Sequence, residues 1–402
     1  MIKPTRTHAS DLRGATRMDV DATVGVTDLV ERMHATIQRV PGIVGKAPQE
    51  PTRGITGLVY RSVRGVTRVV GRGLDAALAP VIPLLPEGET TPAREAFISA
   101  LNGVYGDYLA RTRNPLAVTM SVRRDGRRLD PADAADSASG SPPSGRLLLL
   151  IHGLCLNDLH WTREGHNHGA ALARDHGYTP LYLHYNSGLH VSTNGRELAA
   201  LLEDLLERWP HRVEELAIVG HSMGGLVARS ACHYGRSADH RWTRQLRKIV
   251  FLGTPHHGAP LERGGNLVDF VMGVSPYSAP FTRLGRMRSA GITDLRHGNV
   301  RDEDWDGRDR FALSGDERQS APLPEKVQCY TVAATLGKRR DLLGERLLGD
   351  GLVPLASAIG HHKTPERALA FPKSHQWIGY EMGHLELLSR PEVYARLSGW
   401  LA

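Results

Sequence analysis

From Leu116 to the end of the chain, short apolar runs alternate with longer amphipathic stretches. Arg146–Ile151 (RLLLLI) is continuously apolar, as a strand buried on both faces of a parallel sheet must be. Pro180–Tyr185, Leu216–Val219, Lys248–Leu252 and Val327–Ala333 repeat the pattern. Between and after them, Gly195–Trp209, Gly225–Tyr234 and Pro391–Leu401 carry helical spacing. Alternation of this kind predicts an α/β domain over residues 113–402, with a mostly parallel sheet and helices on both faces. Leu116–Val122 reads as a further strand, Asp125-Gly126 as a hairpin turn, and 131–145 (PADAADSASGSPPSG) as a loop without core-forming content.

Residues 1–112 read differently, as a helical amino-terminal extension. Leu29, Val30, Met33, Ile37 and Val40 recur at helical spacing until Pro41-Gly42. Val59, Val63, Val66 and Val70 mark a second helix, with Arg61, Arg64, Arg68 and Arg72 on its opposite face. A third begins at Thr91-Pro92 and carries Phe97, Leu101, Tyr105 and Tyr108 along one stripe. One connection in the α/β part is too long for a plain linkage: about 70 residues separate Pro255 from Glu325. Phe270, Val271, Met272, Val274 and Phe281 give this segment, roughly 259–325, an apolar side. It is the expected lid.

Composition narrows the function classes. With 41% hydrophobic and 23% charged residues, the 402-residue chain can bury a large core. The three cysteines lie far apart and form no Cys-x-x-Cys pair, which argues against a disulfide scaffold or a cysteine–zinc site. No secretory apolar core opens the sequence, and no run reaches the length of a spanning helix, so a soluble cytoplasmic protein is expected. The net charge of +7 favours anionic partners, but no nucleic-acid motif accompanies it. The Arg61–Arg72 face could lie at an anionic membrane surface; a solvated face is the reading favoured, because several glycines weaken that helix.

Four short motifs carry the candidate chemistry. Gly220-His-Ser-Met-Gly224 follows an apolar strand and opens a small-residue helix, the context of a nucleophilic serine on a sharp turn. Glycines two before and two after Ser222 leave room for that turn. Ile151-His152-Gly153-Leu154 closes a strand about 70 residues earlier. Its Leu154 N–H, with that of Met223, would form an oxyanion hole. Asp350, in Gly349-Asp-Gly-Leu-Val-Pro354, follows the Val327–Ala333 strand and suits the acid that orients a base, with Asp341 and Glu345 as competitors. The base must follow the acid in chain order. Among 20 histidines, position therefore favours His384, in Gly383-His-Leu-Glu-Leu, over His361, His362 and His375. His152, His221, His256 and Phe270 are the expected pocket residues. His256 and His257 are adjacent, with no evident third ligand, so a metal site is not expected there, and the proposed chemistry needs no cofactor.

On these motifs, together with Leu252-Gly-Thr-Pro-His-His-Gly258, residues 145–402 resemble the α/β-hydrolase serine lipases, in particular the GPI inositol-deacylase type. The resemblance implies an α/β-hydrolase fold and a triad of Ser222, Asp350 and His384. It also implies activity on carboxylic esters, often of fatty acids, so the expected partner is a small-molecule ester or lipid. The helical extension is not part of that core. Two alternatives stand beside hydrolysis: an acyltransferase using the same triad, and a non-catalytic membrane-associated binding protein on a hydrolase scaffold.

Overall fold

A computed structural model describes residues 14–21, 65, 92–124, 126–130, 144–259, 289–307, 318, 321–338 and 349–402. The two expected helices before Pro92, the Arg61–Arg72 face, Phe270 and residues 260–288 of the expected lid lie outside the described residues, Gly65 apart. The chain divides into two compact units, 1–90 with 111–116 and 91–110 with 117–402. In the smaller unit a helical segment at 14–21 is tied to the chain around Asn114. The Asn114 side chain donates to the Gly14 carbonyl at 3.0 Å and Arg17 to the Arg113 carbonyl at 2.9 Å.

The larger unit begins with helix α1, Pro92–Arg111, all but its last residue, whereas the sequence assigned this helix to an extension ending at 112. Its glycines explain the difference. A Cβ on Gly103 would stand 2.2 Å from the Cys155 sulfur, and one on Gly106 1.8 Å from the Asn186 side-chain oxygen. Only a helix bare at these two positions can lie so close to those loops. Leu101 and Tyr105 of the expected stripe are buried, but Phe97 is exposed.

The strands and helices that follow are β1 (Ser121–Arg124), β2 (Arg127–Arg128), β3 (Arg146–Ile151), the small hairpin β4–β5 (Thr162–Arg163 and His166–Asn167), α2 (His168–His176), β6 (Thr179–His184), α3 (Val191–Arg208), β7 (Glu215–His221), α4 (Met223–Ser237), α5 (Trp242–Gln245), β8 (Leu246–Leu252), α6 (Ala290–His297), β9 (Gln328–Thr335), α7 (Leu355–Ala358), β10 (Gln376–Tyr380) and α8 (Pro391–Leu401). One eight-stranded sheet runs in the order β10-β9-β8-β7-β3-β6-β1-β2. Strands β3 and β6 to β10 are parallel, and β1 pairs antiparallel with β6 and β2. The expected strand at 116–122 starts later, at Ser121, because Asn102 of α1 takes the Val118 amide at 2.9 Å.

Alternate residues of the central strands serve opposite faces. Leu148, Leu150, Ala217, Val219, Val250 and Val332 form one continuous core with Leu172 of α2 and Leu397 of α8. Leu147, Leu149, Ile218 and Ile249, one residue out of step, are equally inaccessible and belong to the other face. Helices α3 and α4 approach closely: a Cβ on Gly195 would meet the Ser230 hydroxyl at 2.1 Å. Among the described residues no helix is long and apolar enough to cross a membrane.

The chain passes from β3 out to β6 and returns across β3 to β7. That reversal opens a crevice at the carboxyl ends of β3 and β7, where open α/β sheets bind ligands. The turns carrying Leu154 and Ser222 leave from these two strand ends.

Candidate active site

Ser222 occupies the single residue between β7 and α4, at φ 54° and ψ −123°. A side-chain-bearing residue there is strained by about 1–3 kcal/mol and persists only where its surroundings hold it. The hold is visible. The Ser222 amide donates to the Leu252 carbonyl at 2.8 Å. A Cβ on Gly224 would come within 2.2 Å of the Ile151 carbonyl oxygen, and one on Gly220 within 2.7 Å of the Gly225 Cα. Glycine at both flanking positions is therefore a packing requirement of this turn. The Ser222 hydroxyl is buried and, among the described residues, makes no hydrogen bond.

Asp350 and His384 come from loops after β9 and β10 and meet directly. His384 Nδ1 lies 2.7 Å from Asp350 Oδ2. The other carboxylate oxygen accepts the amides of Leu352 at 3.0 Å and Val353 at 2.8 Å, and the Asp350 carbonyl accepts the His384 amide at 3.2 Å. Asp350 is thus fixed on three sides before it touches the imidazole. That imidazole sits beside His221, with ring centres 4.7 Å apart, and His221 Nε2 donates to the His384 carbonyl at 3.2 Å. On another side it rests on Gly253, where a Cβ would stand 3.1 Å from its Nδ1. His221 precedes Ser222 and Gly253 follows the strand end that anchors the Ser222 amide, so the histidine is held against both supports of the serine turn.

The loop carrying Leu154 lies against the same turn: a Cβ on Gly153 would be 3.0 Å from the Ser222 Cβ. Met223 opens α4, so its N–H is one of the four without an acceptor inside the helix. Leu154 and Met223 are both buried. The Tyr185 hydroxyl donates to the His152 carbonyl at 2.8 Å, and the Cys155 amide donates to the Ser187 hydroxyl at 3.1 Å. His152 stacks on Tyr185 with ring centres 4.3 Å apart. Tyr185 and Ser187 thus pin the Leu154 loop from the end of β6. Sequence reasoning missed both, because nothing local marks a residue whose role is set 32 positions away.

Of the expected pocket residues, His152 and His221 stand beside the serine turn, and Phe270 lies outside the described residues. His256 contacts Arg229, Phe251 and Phe371 instead. Among the competing groups, His375 is bound to the Cys329 carbonyl at 3.1 Å, near the opposite end of β9. Asp341 and Glu345 are outside the described residues.

Burial makes several of these histidines poor proton acceptors. Loss of water, the largest cause, pushes His152 down to about 3 and His168 to about 4. His221 and His256 also fall well below the ordinary value, by burial first and then by His384 and Arg229 respectively. The unfolded chain therefore binds more protons than the folded one once the pH drops below about 6.5, and stability rises with pH across that window. Each of the four can remove at most ~1.4 kcal/mol per pH unit. Chemical denaturation at pH 7, 6 and 5 is expected to show a steep fall in unfolding free energy before most carboxylates titrate. A flat profile from pH 7 to 5 would contradict neutral burial.

Residues 114–289 match the model of a domain of unknown function (DUF7379). No curated protein sequence matches the chain. Among solved structures, the chain is similar to the lipase BlEst2 of Bacillus licheniformis in its mature form, at 17% identity, covering 71% of this chain and 98% of that one with a TM-score of 0.42. The propeptide form of that lipase aligns at 20% identity over 70% of this chain and 53% of that one, with a TM-score of 0.40. The Pyrococcus furiosus esterase PF2001 aligns at 13% identity over 64% and 81%, with a TM-score of 0.37. Sheet order and the turn after β7 speak for themselves: the strand reversal at β3, the positive-φ serine between strand and helix, and acid and histidine loops leaving the next strands in that order make this an α/β-hydrolase fold.

Proposed function

We propose that the protein hydrolyses carboxylic esters through an acyl-enzyme on Ser222. The observation that carries this reading is the 2.7 Å contact between His384 and a fully anchored Asp350, packed against the strained Ser222 turn. In the proposed reaction His384 Nε2 takes the Ser222 proton as the hydroxyl oxygen attacks the ester carbonyl carbon. Asp350 keeps the imidazole proton on Nδ1 and stabilises the imidazolium that forms. The Leu154 and Met223 amides donate to the oxyanion. The alcohol leaves with the proton from His384, and water then attacks the acyl-enzyme by the same route. The resemblance to lipases of the GPI inositol-deacylase type extends the reading to fatty acyl esters. Leu336, 54% exposed beside Gly351 and Gly383, offers an apolar contact at the edge of the site.

Two measurements test this together. A p-nitrophenyl ester series from acetate to palmitate is expected to be turned over, with a chain-length profile that separates esterase from lipase. A fluorophosphonate probe is expected to leave one covalent adduct, located on Ser222 by peptide mass mapping. Turnover with the adduct on another residue, or neither turnover nor adduct, would sink the proposal.

A further inference from the structure

The turn that carries Leu154 is gripped from two sides. On one side a Cβ on Gly153 would stand 3.0 Å from the Ser222 Cβ. On the other lies helix α1. The turn is closed by the Leu156 amide, which donates to the Gly153 carbonyl at 3.3 Å, so Leu154 and Cys155 are its two central residues. Cys155 has φ 61°. The third residue of a turn that needs a positive φ is ordinarily glycine or asparagine, because a Cβ there is strained. A cysteine in that place carries a cost that a glycine would not.

The Cys155 side chain is inaccessible and packs into α1. Its Sγ lies 3.9 Å from the Ala100 carbonyl, and burial pushes the thiol up to about 12, which keeps it a neutral S–H donor. On the next turn of the helix, a Cβ on Gly103 would stand 2.2 Å from that sulfur and 2.9 Å from both the Cys155 Cα and its amide nitrogen. The helix cannot simply back away. The Gly103 carbonyl accepts the Ser289 hydroxyl at 2.6 Å, and the Asn102 side chain accepts the Val118 amide at 2.9 Å. A Cβ on Gly188 would come within 2.1 Å of the Asn102 carbonyl oxygen. Helix α1 is thus fixed to the chain before β1, after β6 and before α6, independently of the turn it grips.

We propose, resting on the ester-hydrolase reading, that Gly103 and Cys155 are positioning residues of the oxyanion hole. Helix α1 holds the Cys155 side chain and, through it, the Leu154 amide one residue away. The Cys155 amide itself is engaged by the Ser187 hydroxyl at 3.1 Å, so Leu154 supplies the donor of this turn. Neither Gly103 nor Cys155 touches the substrate. Placement matters because a donor acts only where the oxyanion forms, and a misplacement of about 1 Å can cost on the order of 10²-fold. A glycine at 155 would keep the turn and lose the grip, which accounts for the strained cysteine. Helix α1 then belongs to the catalytic frame and not to an accessory extension.

The test is p-nitrophenyl ester kinetics of the full chain, with kcat expressed per Ser222 site titrated by a fluorophosphonate, so that unfolded protein does not count. Gly103→Ala drives a methyl into the Cys155 sulfur and is expected to lower kcat about 10- to 100-fold with KM within about threefold. Cys155→Gly removes the gripped side chain but relieves the backbone, and is expected to lower kcat about tenfold with a smaller change in Tm than Gly103→Ala. In the double variant the methyl takes the space left by the sulfur, and kcat should recover from that of Gly103→Ala toward that of Cys155→Gly. A methyl that merely destabilises the helix gives no such recovery. If Gly103→Ala fails to fold, Cys155→Gly decides. An active wild type whose Cys155→Gly variant keeps its kcat overturns the positioning role and leaves the ester-hydrolase reading intact. So does a rise in KM with kcat unchanged, or a double variant no better than Gly103→Ala. A wild type inert toward every ester overturns that reading and the positioning role with it.

Discussion

Ser222→Ala is expected to lower kcat/KM for a p-nitrophenyl ester by about 10⁴- to 10⁶-fold, the scale on which serine nucleophiles are lost when the triad acts as a unit. The structure makes this substitution unusually clean. It removes one oxygen that makes no hydrogen bond among the described residues. It keeps the Cβ that touches Gly153 and the backbone strain at φ 54°. Nothing that anchors the turn belongs to the hydroxyl: the amide bond to Leu252 and the glycine contacts at Gly220 and Gly224 persist. Deleting a buried, unsatisfied hydroxyl should leave stability unchanged or slightly raised. The expected result is therefore a large rate loss with Tm within about 2 °C of wild type, the shift of a sub-kcal/mol change in a domain of this size. A variant that keeps its rate would remove Ser222 from the mechanism. A variant that loses both rate and Tm would show the hydroxyl to be structural.

The parts legible in the sequence were those determined by residues close along the chain. The run Arg146–Ile151 announces β3 residue for residue, since a strand covered on both faces has no polar positions to blur its ends. The Ser222 turn is equally legible, because its glycines are required by backbone approaches of 2.2 and 2.7 Å within a few residues of the nucleophile or at the adjoining strand. Edge strand β10 was not anticipated. Gln376–Tyr380 is half-exposed, mixes Trp, Gly and Tyr, and owes its state to the parallel register with β9. Helix α1 illustrates the harder case. Its apolar stripe looks the same whichever body it joins, and the decision falls to Gly103 and Gly106 through neighbours 50 to 80 residues away. His256 shows a related limit: Gly-Thr-Pro-His-His-Gly fixes a turn, but the surroundings of the His256 ring are set by Arg229, Phe251 and Phe371.

Asp350→Asn is the sharper test of how His384 works, because it removes charge while nearly preserving shape. Asp350 Oδ1 accepts two amides, from Leu352 and Val353, and Oδ2 faces His384 Nδ1. An asparagine has one oxygen and one NH₂ for these two places. The amides accept no hydrogen bond, so the oxygen must stay with them and the NH₂ must turn toward His384. The imidazole can meet that donor only by presenting a bare Nδ1, which moves its own proton to Nε2. A nitrogen already protonated cannot take the proton of Ser222. The tautomer, and not the position of the ring, is what fails. The expected loss is about 10³- to 10⁴-fold in kcat with KM little changed, the scale known for this exchange in a serine triad. Activity should recover partly at high pH, where hydroxide can take the Ser222 proton in place of His384 as the oxygen attacks. Asp350→Ala would leave Nδ1 free to be solvated and should damage folding as well, through the two stranded amides of Leu352 and Val353. Undiminished activity in Asp350→Asn would instead assign the orienting role to another carboxylate and leave the 2.7 Å contact as a structural bond.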